Sequence, residues 1–137
     1  MNVRKLLWDV ARSDKKRALP ILSFPAIQKM GGTVRELVNT PELQARAMET
    51  IAHQTDTLAA VSLMDLSVEA EAFGAKIIFS DDEVPTVTGQ LVSDEDEAEE
   101  LVIPGLDKGR ASLCVEGVRQ AKALSQDKPV LAGMIGP

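Results

Sequence analysis

An α/β fold with a parallel sheet is predicted by three observations. Short apolar runs at Ala59–Leu66, Lys76–Phe79 and Pro129–Met134 alternate with longer segments of helical periodicity. The run Ala59–Leu66 carries its single charge, Asp65, near its far end, as a strand covered on both faces does. A helix start follows at once, with Ser67 as N-cap and Glu69 and Glu71 in the first turn, where the helix dipole favours carboxylates. A carboxylate at the C-terminal end of a strand, just before a helix, is where α/β folds place their chemistry. Asp65 is the first candidate site residue, and Glu69, one turn on, is the second.

Taken in order, Asn2 caps a helix through about Ser13, with Val3, Leu6, Leu7 and Val10 on one face. Trp8 lies beside that stripe and reads as packing. Leu19–Phe24 (LPILSF) is apolar, with a proline near its start, and is expected to be the first strand. Pro25, a short turn over Ala26–Met30 and Gly31-Gly32 form the loop that leaves it. Thr40-Pro41-Glu42 starts a helix that runs to about Thr57, with Leu43, Ala47, Ile51 and Leu58 as its stripe. Gly74 ends the helix that Ser67 begins, and Lys76–Phe79 is the next strand-like run. Thr88–Leu91 leads from a strand or hairpin to a helix capped by Ser93 or Asp94 and reaching about Leu101. A long helix is expected from Lys108 to Ser125, with Ala111, Cys114, Val115, Val118 and Ala121 buried. Pro129–Met134 is the last strand, closed by Gly136-Pro137.

Composition narrows function. Apolar residues form 45% of the 137, enough for one domain with a core. With 15 basic and 21 acidic side chains the net charge is −6, so no nucleic-acid partner is expected. The acidic run Asp94–Glu100 reads as a solvated helix face. A single cysteine excludes an internal disulfide and fits a reducing, cytoplasmic setting. No secretory leader is read in Met1–Arg17, and no run is long enough to span a membrane. His53, the only histidine, has no partner at metal-ligand spacing, and Cys114 reads as a small core hydrophobe. No zinc is expected on this chain alone. Neither a GxGxxG nor a P-loop pattern is present.

Three stretches carry a resemblance: ALPILSFPAI…GGTVRELVNTPELQARAMETIAHQ, then VSLMDLSVEAEAFGAKIIFSDDEVPTV, then DKPVLAGMIGP. Together they resemble the N-terminal part of the uroporphyrinogen decarboxylase superfamily. Within it they are most similar to the cobalamin-dependent branch, the methylcobalamin:coenzyme M methyltransferases. The resemblance covers nearly all of the chain, while the family's chains are more than twice as long. It implies the N-terminal portion of one (β/α)8 TIM barrel over residues 1–137, cut short inside the third-strand motif. It also implies that Asp65 matches the aspartate ending the second strand, which in the decarboxylases binds pyrrole nitrogens.

For a longer parent the resemblance implies zinc, held by ligands outside this chain, and methylcobalamin as cofactors. A corrinoid protein or free methylcobalamin and a small thiol such as coenzyme M are the implied partners. The decarboxylases grip substrate carboxylates with an arginine-rich loop after the first strand. Here that loop reads SFPAIQKMGGT, with Lys29 its only cation, which disfavours tetrapyrrole decarboxylation. A non-catalytic binding or assembly module is the remaining alternative. On position alone, Asp65 is equally a helix cap bonding the Glu69 region. The fragment by itself is expected to be inactive and to self-associate through an open sheet edge.

Overall fold

The computed structural model describes residues 2–134; Gly136-Pro137, read as the end of the last strand, lie outside the described residues. Helix α1 (Val3–Arg12) is capped by Asn2, whose side chain accepts from the Lys5 amide at 3.3 Å. Its apolar stripe packs less than expected. No α1 residue is buried; Leu6 and Val10 line a hollow beside Leu58, while Val3, Leu7 and Trp8 are exposed. The Arg12 guanidinium lies over the Trp8 ring, 4.8 Å from its centroid.

The expected first strand is a correction. Of the stretch before Pro25, only Ala18 pairs, through one parallel bridge to Thr57, and the Leu58 amide donates to its carbonyl at 3.0 Å. Pro20 brings no amide to a ladder. The chain then turns into helix α2 (Ser23–Met30), which includes the stretch read as a short turn. Pro25 is tolerated there because it falls in the first turn, where amides have no intrahelical acceptor. Gly31 ends α2 at φ 72°, a left-handed conformation that suits glycine. Helix α3 (Val34–Asn39) begins at a reciprocal capping box between Thr33 and Glu36 that the sequence reading passed over.

Helix α4 (Pro41–Gln54) starts where Thr40-Pro41-Glu42 places it. Its C-terminus is closed by Lys128, whose ammonium donates to the Ala52 carbonyl and, at 3.3 Å, to that of Thr55. This helix organises the core. One side, through Ala47, joins α2, α3 and Leu63; the other, through Ala45, Met48 and Ala52, meets Ala60 and Ala121.

Strand β1 (Ala60–Val61) is shorter than the apolar run that contains it, and helix α5 (Val68–Ala72) follows. Strands β2 (Lys76–Ile78) and β3 (Thr86–Thr88) form an antiparallel hairpin, with Ile77 opposite Val87. The run Lys76–Phe79 therefore does not join the parallel sheet. The loop of the hairpin is fixed to α3: Arg35 reaches Asp81 at 3.0 Å and the Phe79 carbonyl at 2.6 Å, and the Val34 amide donates to the Asp81 carbonyl at 2.8 Å.

Helix α6 (Glu95–Glu99) is capped by Asp94, and helix α7 (Ala111–Leu124) begins three residues later than its periodicity suggests. Strand β4 (Val130–Leu131) pairs parallel with β1, Ala60 opposite Val130. The long crossover from β1 to β4 carries α7, which packs against α4 and β4. The buried stripe of α7 is Gly117 and Ala121, while Val115 is exposed. No helix among the described residues is long and apolar enough to cross a membrane.

Gly117 sets the approach of α7 to α4. A Cβ at this position would lie 2.6 Å from Gln44 Oε1 and 3.0 Å from its Cβ. Gln44 is itself buried and donates to the Val38 carbonyl at 3.2 Å. Gly117→Ala is expected to cost about 1–2 kcal/mol, overpacking outweighing the roughly 1 kcal/mol gained in helix propensity. Urea unfolding measures it; an unchanged or raised midpoint would mean that Gln44 yields freely.

Candidate active site

Asp65 leaves the C-terminal end of β1 just before α5, and its side chain is only 3% exposed. One carboxylate oxygen, Oδ1, accepts from the Ser67 amide at 3.0 Å and the Ser67 hydroxyl at 2.6 Å. The other accepts from Arg110 Nη1 at 2.5 Å. Ser67 thus does not cap α5 with its side chain; its hydroxyl is taken up by Asp65 and by Arg110 Nη2, the latter at 2.8 Å. As a cap, Asp65 serves the Ser67 amide.

Arg110 joins the site from the residue before α7. Its Nε donates to Glu71 Oε2 at 2.7 Å, its side chain is 4% exposed, and the Phe79 ring lies 4.8 Å from the guanidinium carbon. One planar fork thereby serves two carboxylates and a hydroxyl, a geometry lysine cannot reproduce. Burial pulls the Arg110 pKa down, but the hydrogen bonds and charges of Asp65 and then Glu71 outweigh it and leave it raised. Gly109 makes the approach possible. It has φ 54°, and a Cβ there would stand 3.0 Å from Glu71 Cγ.

Beside this cluster lies a pocket of about 220 Å³ between α4, α7 and the ends of β1 and β4. Asp65 and Glu69 both line it, so the structure brings together the two residues singled out from sequence. One Glu69 carboxylate oxygen is out of solvent. The facing walls are Met48, Val115 and Val118, with Gly133 at the far strand end. The Gly133 amide donates to Ser62 Oγ at 2.8 Å, which ties the two strand ends together.

Cys114 also lines the pocket. Burial pushes its thiol up to about 11; Arg110 pulls it down, while Asp65, Glu69 and Glu71 push it further up. The folded value lies above the ordinary 9.0, so this thiol favours folding below about pH 9, and the contribution fades as pH rises towards 11. Alkylation by iodoacetamide at pH 8 is expected to run about 100-fold slower in the folded than in the urea-unfolded chain. Equal rates would show a thiol in ordinary surroundings.

His53 is half exposed on α4, 3.6 Å from Glu49 and 4.0 Å from Asp127. Lys29 bonds Gln54 at 2.9 Å on the surface. Among the described residues no three His, Cys, Asp or Glu side chains are grouped to hold a metal ion. Sequence reasoning missed Arg110 and the part played by Glu71. The one local signal was the Gly109-Arg110 pair before a helix, a glycine where the backbone needs positive φ.

Two parallel strands joined through a helical crossover, with Asp65 and Glu69 lining a pocket at the strands' C-terminal ends, match part of a (β/α)8 barrel. The chain belongs to the uroporphyrinogen decarboxylase family: the family model, uroporphyrinogen decarboxylase (URO-D), matches residues 17–137. Among solved structures it is similar to a methyltransferase from Methanosarcina mazei, with a TM-score of 0.76 and 22% identity over 97% of this chain. The chain spans 41% of that methyltransferase's length. Comparison with curated proteins finds no match.

Proposed function

We propose that this chain is the part of a methyltransferase barrel that carries Asp65 and Glu69 in the substrate pocket. The observation that carries the reading is the state of the site's one guanidinium. Arg110 is buried and spent on Asp65, Glu71 and Ser67, and no arginine or lysine lines the pocket. A tetrapyrrole substrate with many carboxylates needs several available guanidinium partners, so decarboxylation is the weaker alternative. The similarity to a solved methyltransferase supports the same choice at the level of fold.

The finer reading is methyl transfer from methylcobalamin, free or on a corrinoid protein, to a small thiol such as coenzyme M. A metal in such a reaction makes the thiol a better nucleophile by lowering its pKa. The described residues do not fit a zinc ion. What this chain contributes is positioning: Asp65, held from both oxygens, gives a fixed wall to the pocket, and Glu69 stands beside it.

The test is a transfer assay on protein carrying the complete barrel, following loss of the methylcobalamin spectrum with added thiols. Thiol-dependent demethylation supports the reading. Decarboxylation of a tetrapyrrole in its place would overturn it.

Met64 and Leu66, after β1, and Met134, after β4, are exposed although they belong to apolar runs. The 137-residue chain alone is expected to self-associate at micromolar concentration through this strand-end surface and the open sheet edges. Sedimentation decides it, and a compact monomer that fails to bind a hydrophobic dye would contradict it.

A further inference from the structure

Two exposed apolar surfaces of this chain carry opposite charge. Helix α1 turns Leu6 and Val10 to the hollow beside Leu58 and leaves Val3, Leu7 and Trp8 outside, each more than half exposed. Arg4, Leu7, Trp8 and Ala11 line a second hollow on that outer side. Arg4 and Arg12 stand one turn to either side of Trp8 on the same row of the helix. The first 17 residues hold six basic side chains against two acidic ones, in a chain whose net charge is −6. The second surface is residues 94–106. Its apolar end is more exposed still, with Val102 at 83%, Ile103 at 87% and Leu106 at 66%. These side chains follow six carboxylates and no cation, and among the described residues none of the six is in an ion pair. A scattered exposed apolar side chain is ordinary, but two clusters edged by complementary charge make a recognition surface.

One chain does not bring the two together. The segment after α1 enters the fold at the N-terminal end of β1, where Ala18 bridges Thr57. Residues 94–106 lead into Arg110, which is held by Asp65 beyond the C-terminal end of the same strand. With the surfaces at opposite ends of β1, a contact that covers both forms between copies. We propose that α1 of one copy docks on residues 94–106 of a second copy, Leu7 and Trp8 against Val102 and Ile103, and Arg4 and Arg12 towards the carboxylates. The two surfaces differ, so the contact is head-to-tail, leaves one of each free at the ends and extends past the dimer. Neither surface lines the pocket, so the contact stands apart from the methyl-transfer reading. It is distinct as well from association through the sheet edges, which rests on backbone pairing and apolar burial rather than on charge.

Sedimentation velocity of the 137-residue chain at about 0.05 and about 0.5 M sodium chloride tests it. Association is expected to weaken about tenfold at the higher salt. Arg4→Glu with Arg12→Glu in one variant, and Glu95→Lys with Glu99→Lys in another, should each weaken it about tenfold at low salt. An equimolar mixture of the two variants should restore it, because each then meets the opposite charge. Val102→Ser with Ile103→Ser should weaken it with no change of charge. All six positions are exposed, so these variants are expected to fold as the parent does, which circular dichroism checks. Association that salt leaves unchanged, or a mixture that stays dissociated, would overturn the proposal. So would a Trp8 fluorescence shift on phosphatidylserine vesicles while the chain remains monomeric, which would give α1 to a lipid surface. Salt-sensitive association that is lost in protein carrying the complete barrel would assign both surfaces to the rest of the barrel, and would overturn it too.

Discussion

Arg110→Met is expected to cost 3–5 kcal/mol, about the range for removing one partner of a buried ion pair, and to leave a chain of this size barely folded. The substitution matches the hydrocarbon bulk but strands Asp65, whose side chain is 3% exposed, and Glu71 beside it. Ser67 loses a donor as well. Arg110→Lys should recover little, because one ammonium cannot span Asp65, Glu71 and Ser67 together. Replacing Arg110, Asp65 and Glu71 together by apolar residues should restore much of the loss, since no uncompensated charge is then left inside. Denaturant unfolding of the three proteins measures this. Arg110→Met within 1 kcal/mol of the parent would mean that water reaches the cluster freely.

Asp65→Asn is expected to lower turnover about 100-fold in protein carrying the complete barrel, the scale of a misplaced binding group. It should also cost about 2–3 kcal/mol, so the fold does not survive the change untouched. An amide has one acceptor oxygen where the carboxylate has two, and here both are used, one by Ser67 and one by Arg110. The measurement belongs at a temperature where the variant is still folded by circular dichroism, with kcat and KM determined separately. Full turnover in a folded variant would reduce Asp65 to an anchor for Arg110.

Asp65 was legible because its signal is local: an apolar run, a charge at its end, then a helix start. Glu69 followed from the same stretch. Arg110 was not, since nothing near residue 110 announces that its guanidinium will be buried against a carboxylate 45 residues away. The strand and hairpin errors share one cause. A short apolar run such as LPILSF or KIIF does not state which partner completes it, and partner choice is what separates strand, helix and hairpin here. LPILSF forms no ladder, the one nearby bridge being Ala18 to Thr57 just before it, and it gave way to α2, while KIIF found Thr86-Val87-Thr88 close by and folded back on it. Helix starts were read well where the chemistry sits within one turn, as at Thr40-Pro41 and Asp94.

The tie between Ser62 and Gly133 spans 71 residues, and the Arg110 bonds to Asp65 and Glu71 span 45 and 39. Contacts so distant must wait for a large loop to close before they return any energy, whereas the β2–β3 hairpin needs only its own turn. The order of folding is therefore written into the connectivity. Hairpin and helices are expected to form on microsecond scales, and the two parallel strands to meet late. Until they pair, the residues of β1 and β4 would have open backbone groups, so the delay before Arg110 docks is the time at which this protein is expected to be most prone to aggregate.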